Sequence, residues 1–414
     1  MLALVSGRLT QDCRAALEQE RGWQVEQVRS VRLAARELTE ESRRGVEAVV
    51  VESEPVPSEF LDQLPRLAVV ACLRSEPVNV DVAAATERGI PVIYAPGRNA
   101  EAVADFTLGL CLAMLRGIAL SHHGIVSGVH TEPHPGNGPD RAVGDIIWRP
   151  TDPSAAVPYA IYKGRQLGSI VFGIVGFGAT GRAVAHRLRG LVREIVVADP
   201  RVSAAEVLDA ACRPVGLAQL LALADVVSVH ARSETQIIGR EQLAAMRPGS
   251  YLINTARGTV LDYDALADAL DRGHLRGAAL DVFPEEPLPA STPLIGLPGL
   301  TMTPHIAGAT EEVTDRQSEI MLEAIRSLYR PETAWQGVPV RNPEVRAKWL
   351  TERSLTSNAT ALRPASTSTQ NCPPGGGLPH SRPETIPGTR EATAAPPASV
   401  PAPQLPDDNP RRQL

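Results

Sequence analysis

The chain has 414 residues, 41 basic against 47 acidic side chains for a formal net charge of −6, and 43% hydrophobic residues. A single core rarely grows that large, so two domains are expected. No apolar run reaches the ~18 residues that a membrane span needs, and mild acidity without a basic stripe sets aside nucleic acid as the main partner.

The N-terminus has no basic segment ahead of its apolar residues and no long apolar stretch before a cleavage site, so the protein is expected in the cytosol. In the first hundred residues, strand candidates LALVSG (2–7), EAVVVES (47–53), LAVVACLRS (67–75) and IPVIYAPG (90–97) alternate with helical stretches such as DCRAALEQER (12–21) and VAAATERG (82–89). That alternation predicts an α/β unit, a parallel sheet wound on both faces. A long apolar helix follows from about Glu101 to Ile118. The segment 119–165, rich in His, Pro and Gly, is too long for an ordinary connection and reads as an insertion.

A second α/β series begins with SIVFGIVG (169–176) and continues through EIVVAD (194–199), DVVSVH (225–230), SYLINTA (250–256), GAALDVF (277–283) and LTMTPH (300–305). Residues 310–329 predict a helix with Thr310 as N-cap and acids in its first turn. Val313, Ile320, Leu322, Ile325 and Leu328 would return it to the first domain. The last 64 residues, 351–414, contain 12 prolines and are expected to form no core. The fold class is therefore α/β, with two doubly wound parallel-sheet domains, Rossmann-like or flavodoxin-like, a cleft between them and a disordered tail. Residues 1–118 with 306–335 would form the substrate domain, and 119–305 the cofactor domain.

Five cysteines, Cys13, Cys72, Cys111, Cys212 and Cys372, stand far apart without a CxxC or Cys/His cluster. Neither a disulfide framework nor a metal site is expected.

The segment IVFGIVGFGATG places Gly176, Gly178 and Gly181 in GxGxxG spacing between an apolar strand and a helix. The first glycine allows a tight turn, the second a close approach of pyrophosphate, the third close helix–strand packing. The phosphates then meet a helix N-terminus. Asp199 ends the next strand, 18 residues after Gly181, where a carboxylate binds ribose hydroxyls and repels a 2'-phosphate. NAD is therefore the expected cofactor, with Arg201 nearby as the residue that leaves NADP open.

Three further stretches lie at strand ends of the second domain, where open α/β sheets bind ligands: INTARGTV (253–260), LDVFPEEP (280–287) and TPHIAGAT (303–310). Hydride reduction of a keto acid needs a cation for the carboxylate and carbonyl, and an acid/base for the hydroxyl proton. Arg257 and His305 supply these types, and Glu286 is the carboxylate that would orient the histidine.

Asp199 after GxGxxG, then NTARG, DVFPEEP and TPHIAG in this order resemble the D-isomer-specific 2-hydroxyacid dehydrogenases, over about residues 45–330. The segment VNVDVAAATERGIPVIYAPGRNAEAVADFTLGLCLAMLRGI resembles the family's approach to its interdomain helix. The resemblance implies that Arg257 binds the substrate carboxylate and keto oxygen, that His305 is the general acid/base, and that Glu286 is its partner. It also implies that Asp281 holds the nicotinamide carboxamide, that Thr255 and Ala256 line the nicotinamide site, and that Ala179 and Thr180 face the pyrophosphate.

Departures from the family pattern bear on substrate. Ser75, Glu76 and Pro77 replace a glycine-rich turn whose amides grip the carboxylate, and proline has no N–H to offer. Glu52 and Glu54 stand where phosphoglycerate enzymes look basic, which argues against phosphoglycerate. A shortened loop after His230 carries Arg232, while His230 itself reads as structural. His122, His123, His130 and His134 decorate the insertion without metal-ligand spacing. The expected partner is a small 2-keto or 2-hydroxy acid, and the apolar helix suggests a homodimer. Two other functions stay open: a dehydrogenase of a specialised anion such as a phosphonate or sugar acid, and a regulatory protein that binds NAD(H) without turnover.

Overall fold

The computed structural model describes residues 1–130, 158–330 and 335–357, apart from the side chains of 159 and 352–357. The first sheet contains β1 (Leu2–Val5), β2 (Gln24–Gln27), β3 (Val46–Val51), β4 (Val69–Cys72) and β5 (Val92–Tyr94). Its order is β2-β1-β3-β4-β5, parallel throughout. Every residue of β3 and β4 is buried, as strands covered on both faces must be. One face packs on Leu17, Met321, Ile325 and Trp349, the other on Val31, Phe60 and Leu64. β2, unforeseen in the sequence, is an edge strand with no buried residue.

The second sheet is β6 (Val171–Val175), β7 (Glu194–Ala198), β8 (Arg213–Pro214), β9 (Val226–Val229), β10 (Ser250–Asn254), β11 (Leu275–Leu280) and β12 (Leu300–Met302). Its order, β12-β11-β10-β9-β6-β7-β8, runs outward in both directions from β6. The reversal between β6 and β9 opens a crevice beyond their carboxyl ends, where doubly wound sheets take their ligands.

Two helices connect the sheets. Ala100–Leu115 buries Ala104, Leu110, Cys111 and Leu115 against Phe172, Ile174 and Val184. In packing it joins the second core, although chain order places it at the end of the first domain. Arg187 ties it down through ion pairs with Glu101 and Asp105. Its continuation, Ile118–Val126, bends away by 66° at Gly117. The start of the expected insertion is thus helical, and residues 131–157, with His134, lie outside the described residues. Among those described, no single helix is long and apolar enough to cross a membrane.

The returning helix spans Glu312–Leu328, one residue later than Thr310 as N-cap implies; Glu311 takes the cap position without a side-chain cap. It places Met321, Ala324, Ile325 and Leu328 in the first core. The chain then stays ordered past residue 351, in a helix at Arg346–Ser357. Asn342 accepts the Val92 N–H at 2.8 Å and donates to the Ile90 carbonyl at 2.9 Å, and the Trp349 indole donates to the Ala68 carbonyl at 2.7 Å. The first residues of the expected tail are thus helical, and residues 358–414 lie outside the described residues.

Candidate active site

The glycine turn after β6 has the shape its spacing requires. Gly176 sits at φ +94°, and a Cβ there would stand 2.5 Å from the Ala231 nitrogen; one on Gly181 would stand 2.1 Å from the Gly176 carbonyl. Gly178 differs. A Cβ on it would meet no protein atom within 4 Å, so the protein's own packing does not demand a glycine, whereas a phosphate brought against the backbone does. Gly178 caps the helix Ala179–Leu188 without a side chain, and Ala179 and Thr180 form its first turn. Asp199, just beyond β7, accepts the Phe177 N–H through Oδ2 at 2.7 Å and the Arg201 N–H through Oδ1 at 2.8 Å. Each oxygen keeps a lone pair for a hydroxyl, so the turn, the helix end and the carboxylate fit a dinucleotide.

At the end of β10, Asn254 shapes the turn that presents Arg257. Its Oδ1 accepts the Ala256 N–H and its Nδ2 donates to the Arg257 carbonyl, both at 3.0 Å. Thr255 and Ala256 are buried beneath, and Thr255 Oγ1 lies 3.3 Å from Thr107 on the connecting helix and 3.5 Å from His230 Nδ1. Burial pulls the His230 imidazole down to about 4, so it is neutral at ordinary pH. Burial also lowers the Arg257 pKa from its usual value, with Arg232 and Arg74 adding to the effect and Glu286 and Glu234 opposing it. A guanidinium stays charged regardless.

His305 and Glu286 come together. Nδ1 of the histidine lies 2.6 Å from Glu286 Oε2, while Oε1 accepts the Phe283 N–H at 2.9 Å. Burial pushes the Glu286 carboxyl up, but these hydrogen bonds outweigh it and leave the pKa below the usual value. His305 holds φ +56°, a conformation non-glycine residues seldom adopt. The loop carrying it is strapped by Asp281, whose Oδ1 accepts the Thr303 hydroxyl and the Ile306 N–H and whose Oδ2 accepts the Ala307 N–H. Asp281 is 0% exposed. Its bonds within the protein are thus to the histidine loop. Beside the pair lies an apolar cavity of about 560 Å³ lined by Phe283, Leu288, Met302 and His305. Among the described residues, no group of three or more His, Cys, Asp or Glu is set to hold a metal ion.

Residues 156–307 match the family model described as D-isomer specific 2-hydroxyacid dehydrogenase, NAD binding domain. A protein named (S)-sulfolactate dehydrogenase from Chromohalobacter salexigens is 37% identical over 69% of this chain and 85% of its own length. The chain belongs to the D-isomer-specific 2-hydroxyacid dehydrogenase family. D-3-phosphoglycerate dehydrogenase of Mycobacterium tuberculosis is 33% identical over 71% of this chain, which spans 52% of that relative. A solved phosphoglycerate oxidoreductase from Rhizobium etli superposes with a TM-score of 0.60 at 27% identity, covering 80% of this chain and 95% of the other. As a family member, the protein is an NAD(H)-dependent oxidoreductase acting on the CH–OH group of small 2-hydroxy acids.

On the first domain's side of the cleft, acidic side chains are engaged by partners. Arg232 crosses from the second domain to pair with Glu76 at 3.2 Å and to donate to the Ser75 carbonyl at 3.4 Å. Glu52 pairs with Arg98 at 2.9 Å. Glu54 caps the helix Val31–Glu37, accepting the Val31 and Arg32 N–H groups. Both glutamates are thus engaged by groups of the first domain. Sequence reasoning missed Asn254 and the strap role of Asp281. The signal for both was a polar residue ending an otherwise apolar strand.

Proposed function

We propose that this dehydrogenase interconverts a 2-keto acid and a D-2-hydroxy acid in the cleft between its two sheets, with the first domain on the substrate side. NAD(H), when bound, supplies or accepts the hydride. Gly178 and the first turn of Ala179–Leu188 hold its pyrophosphate, Asp199 its ribose, and Thr255 and Ala256 line the nicotinamide end. Arg257 binds the carboxylate and polarises the carbonyl oxygen. Glu286, kept ionised by its two hydrogen bonds, accepts the Nδ1–H of His305. That fixes the tautomer and leaves Nε2 to exchange the hydroxyl proton. The single observation carrying this reading is the 2.6 Å contact between His305 and Glu286, because a protein that only bound NAD(H) has no use for an oriented imidazole.

Exposed Leu112, Ile118, Leu120, Ile125 and Val126 on the connecting helices support a homodimer, and the four cysteines among the described residues, buried and free, fit a cytosolic site. The test is NADH oxidation by the full-length protein with glyoxylate, hydroxypyruvate and pyruvate. Turnover is expected with at least one, and Arg257→Ala should lower kcat/KM by ~100-fold or more, the scale of a lost charge-stabilising contact, with NADH affinity kept. NADH binding without turnover on any 2-keto acid contradicts the reading.

A further inference from the structure

Arg257 is not the sole cation on this cleft. Arg74 follows β4 on the first domain's wall, and Arg232 follows β9 on the second. Both act on the charge of Arg257, against Glu286 and Glu234. Glu286 is engaged by His305, and Arg257 hydrogen-bonds its own neighbour's carbonyl, that of Ala256, at 2.6 Å. Among the described residues, the half-buried Arg74 side chain has no hydrogen bond or ion pair. Arg232 has Glu76, at 3.2 Å, with the two side chains 42% and 37% exposed. A pair that open to water is worth little and is readily exchanged for another anion. The 75–77 turn offers no N–H at Pro77, while Arg232 lies against it through Ser75 and Glu76.

We propose that Arg74 and Arg232 form a second anion subsite next to Arg257, so that the substrate is a 2-keto or 2-hydroxy acid bearing a further anionic group, a sulfonate, phosphonate or carboxylate, beside the reacting carbon. Glu76 holds Arg232 over the cleft until that group arrives and takes its place. Guanidinium pairs with such oxyanions through paired, charge-assisted hydrogen bonds, which a neutral substrate end forgoes.

This rests on the dehydrogenase reading, but its test separates the two. Calorimetric titration of the NAD+-loaded full-length protein with sulfopyruvate, phosphonopyruvate, oxaloacetate and pyruvate reads binding without turnover, and NADH oxidation over the same panel reads catalysis. At least one dianion is expected to bind roughly tenfold or more tighter than pyruvate, the favoured one identifying the group. Arg74→Gln and Arg232→Ala should each cut that ratio about tenfold, Arg232→Lys less, with NADH affinity as the folding control. A dianion preference without turnover leaves the subsite standing and removes the dehydrogenase reading. Equal affinity for dianions and pyruvate, or a ratio untouched by both arginine variants, overturns the subsite whatever the turnover.

Discussion

Asp281→Asn tests whether the placement of His305 is built by the buried strap behind it. The carboxylate accepts three donors, at 2.6 Å from Thr303, 2.9 Å from Ile306 and 2.8 Å from Ala307, and these bracket a histidine held at φ +56°. Asparagine keeps the size and one acceptor oxygen but turns a donor toward a backbone N–H. Losing one charge-assisted bond costs about 1.5–3 kcal/mol and leaving a buried donor unpaired about 1–3 kcal/mol. The sum, about 2.5–6 kcal/mol, corresponds to a fall in the unfolding midpoint on the order of 10 °C for domains of this size. Thermal unfolding by circular dichroism reads it. In the same protein at a temperature where it stays folded, kcat should fall by tenfold or more, since His305 no longer meets Glu286 in one geometry, while NADH affinity persists because the glycine turn is separate. A variant that melts and turns over like the wild type refutes the strap.

Two further outcomes follow from the geometry. Asp199→Ala should weaken NADH more than NADPH, because the carboxylate offers hydroxyl acceptors to one and repulsion to the other; fluorescence titration with equal losses for both would remove Asp199 from the ribose site. His230 is neutral in the fold, with its pKa near 4, but titrates near ~6.5 when unfolded. The unfolded chain therefore binds the extra proton, so this stability is full above pH ~6.5 and is lost as pH falls toward ~4, by on the order of 2 kcal/mol for a partly exposed ring. Urea midpoints across that range should depend less on pH in His230→Gln, and parallel curves would contradict this.

Much of the fold was legible because its signals are local. Apolar β-branched runs marked the inner strands, and the GxGxxG turn with Asp199 marked the cofactor side. β2 and β8 escaped because edge strands such as Gln24–Gln27 bury no residue and show no apolar pattern. The extension through Ser357 escaped because its attachment depends on single long-range anchors, Asn342 and Trp349. The candidate site was legible as residue types, Arg257, Glu286 and His305 among them. The burial of Asp281 and the reach of Arg232 to Glu76 were not, since both depend on loops meeting across distant stretches of chain.

The central claim is that His305, oriented by Glu286, moves the proton while the cofactor moves the hydride. The most direct measurement is steady-state NADH oxidation by His305→Ala beside the wild type, on whichever 2-keto acid the wild type reduces fastest, with the NADH dissociation constant measured in parallel. The account predicts a kcat lower by ~100-fold or more at unchanged NADH affinity. A kcat equal to that of the wild type would contradict it.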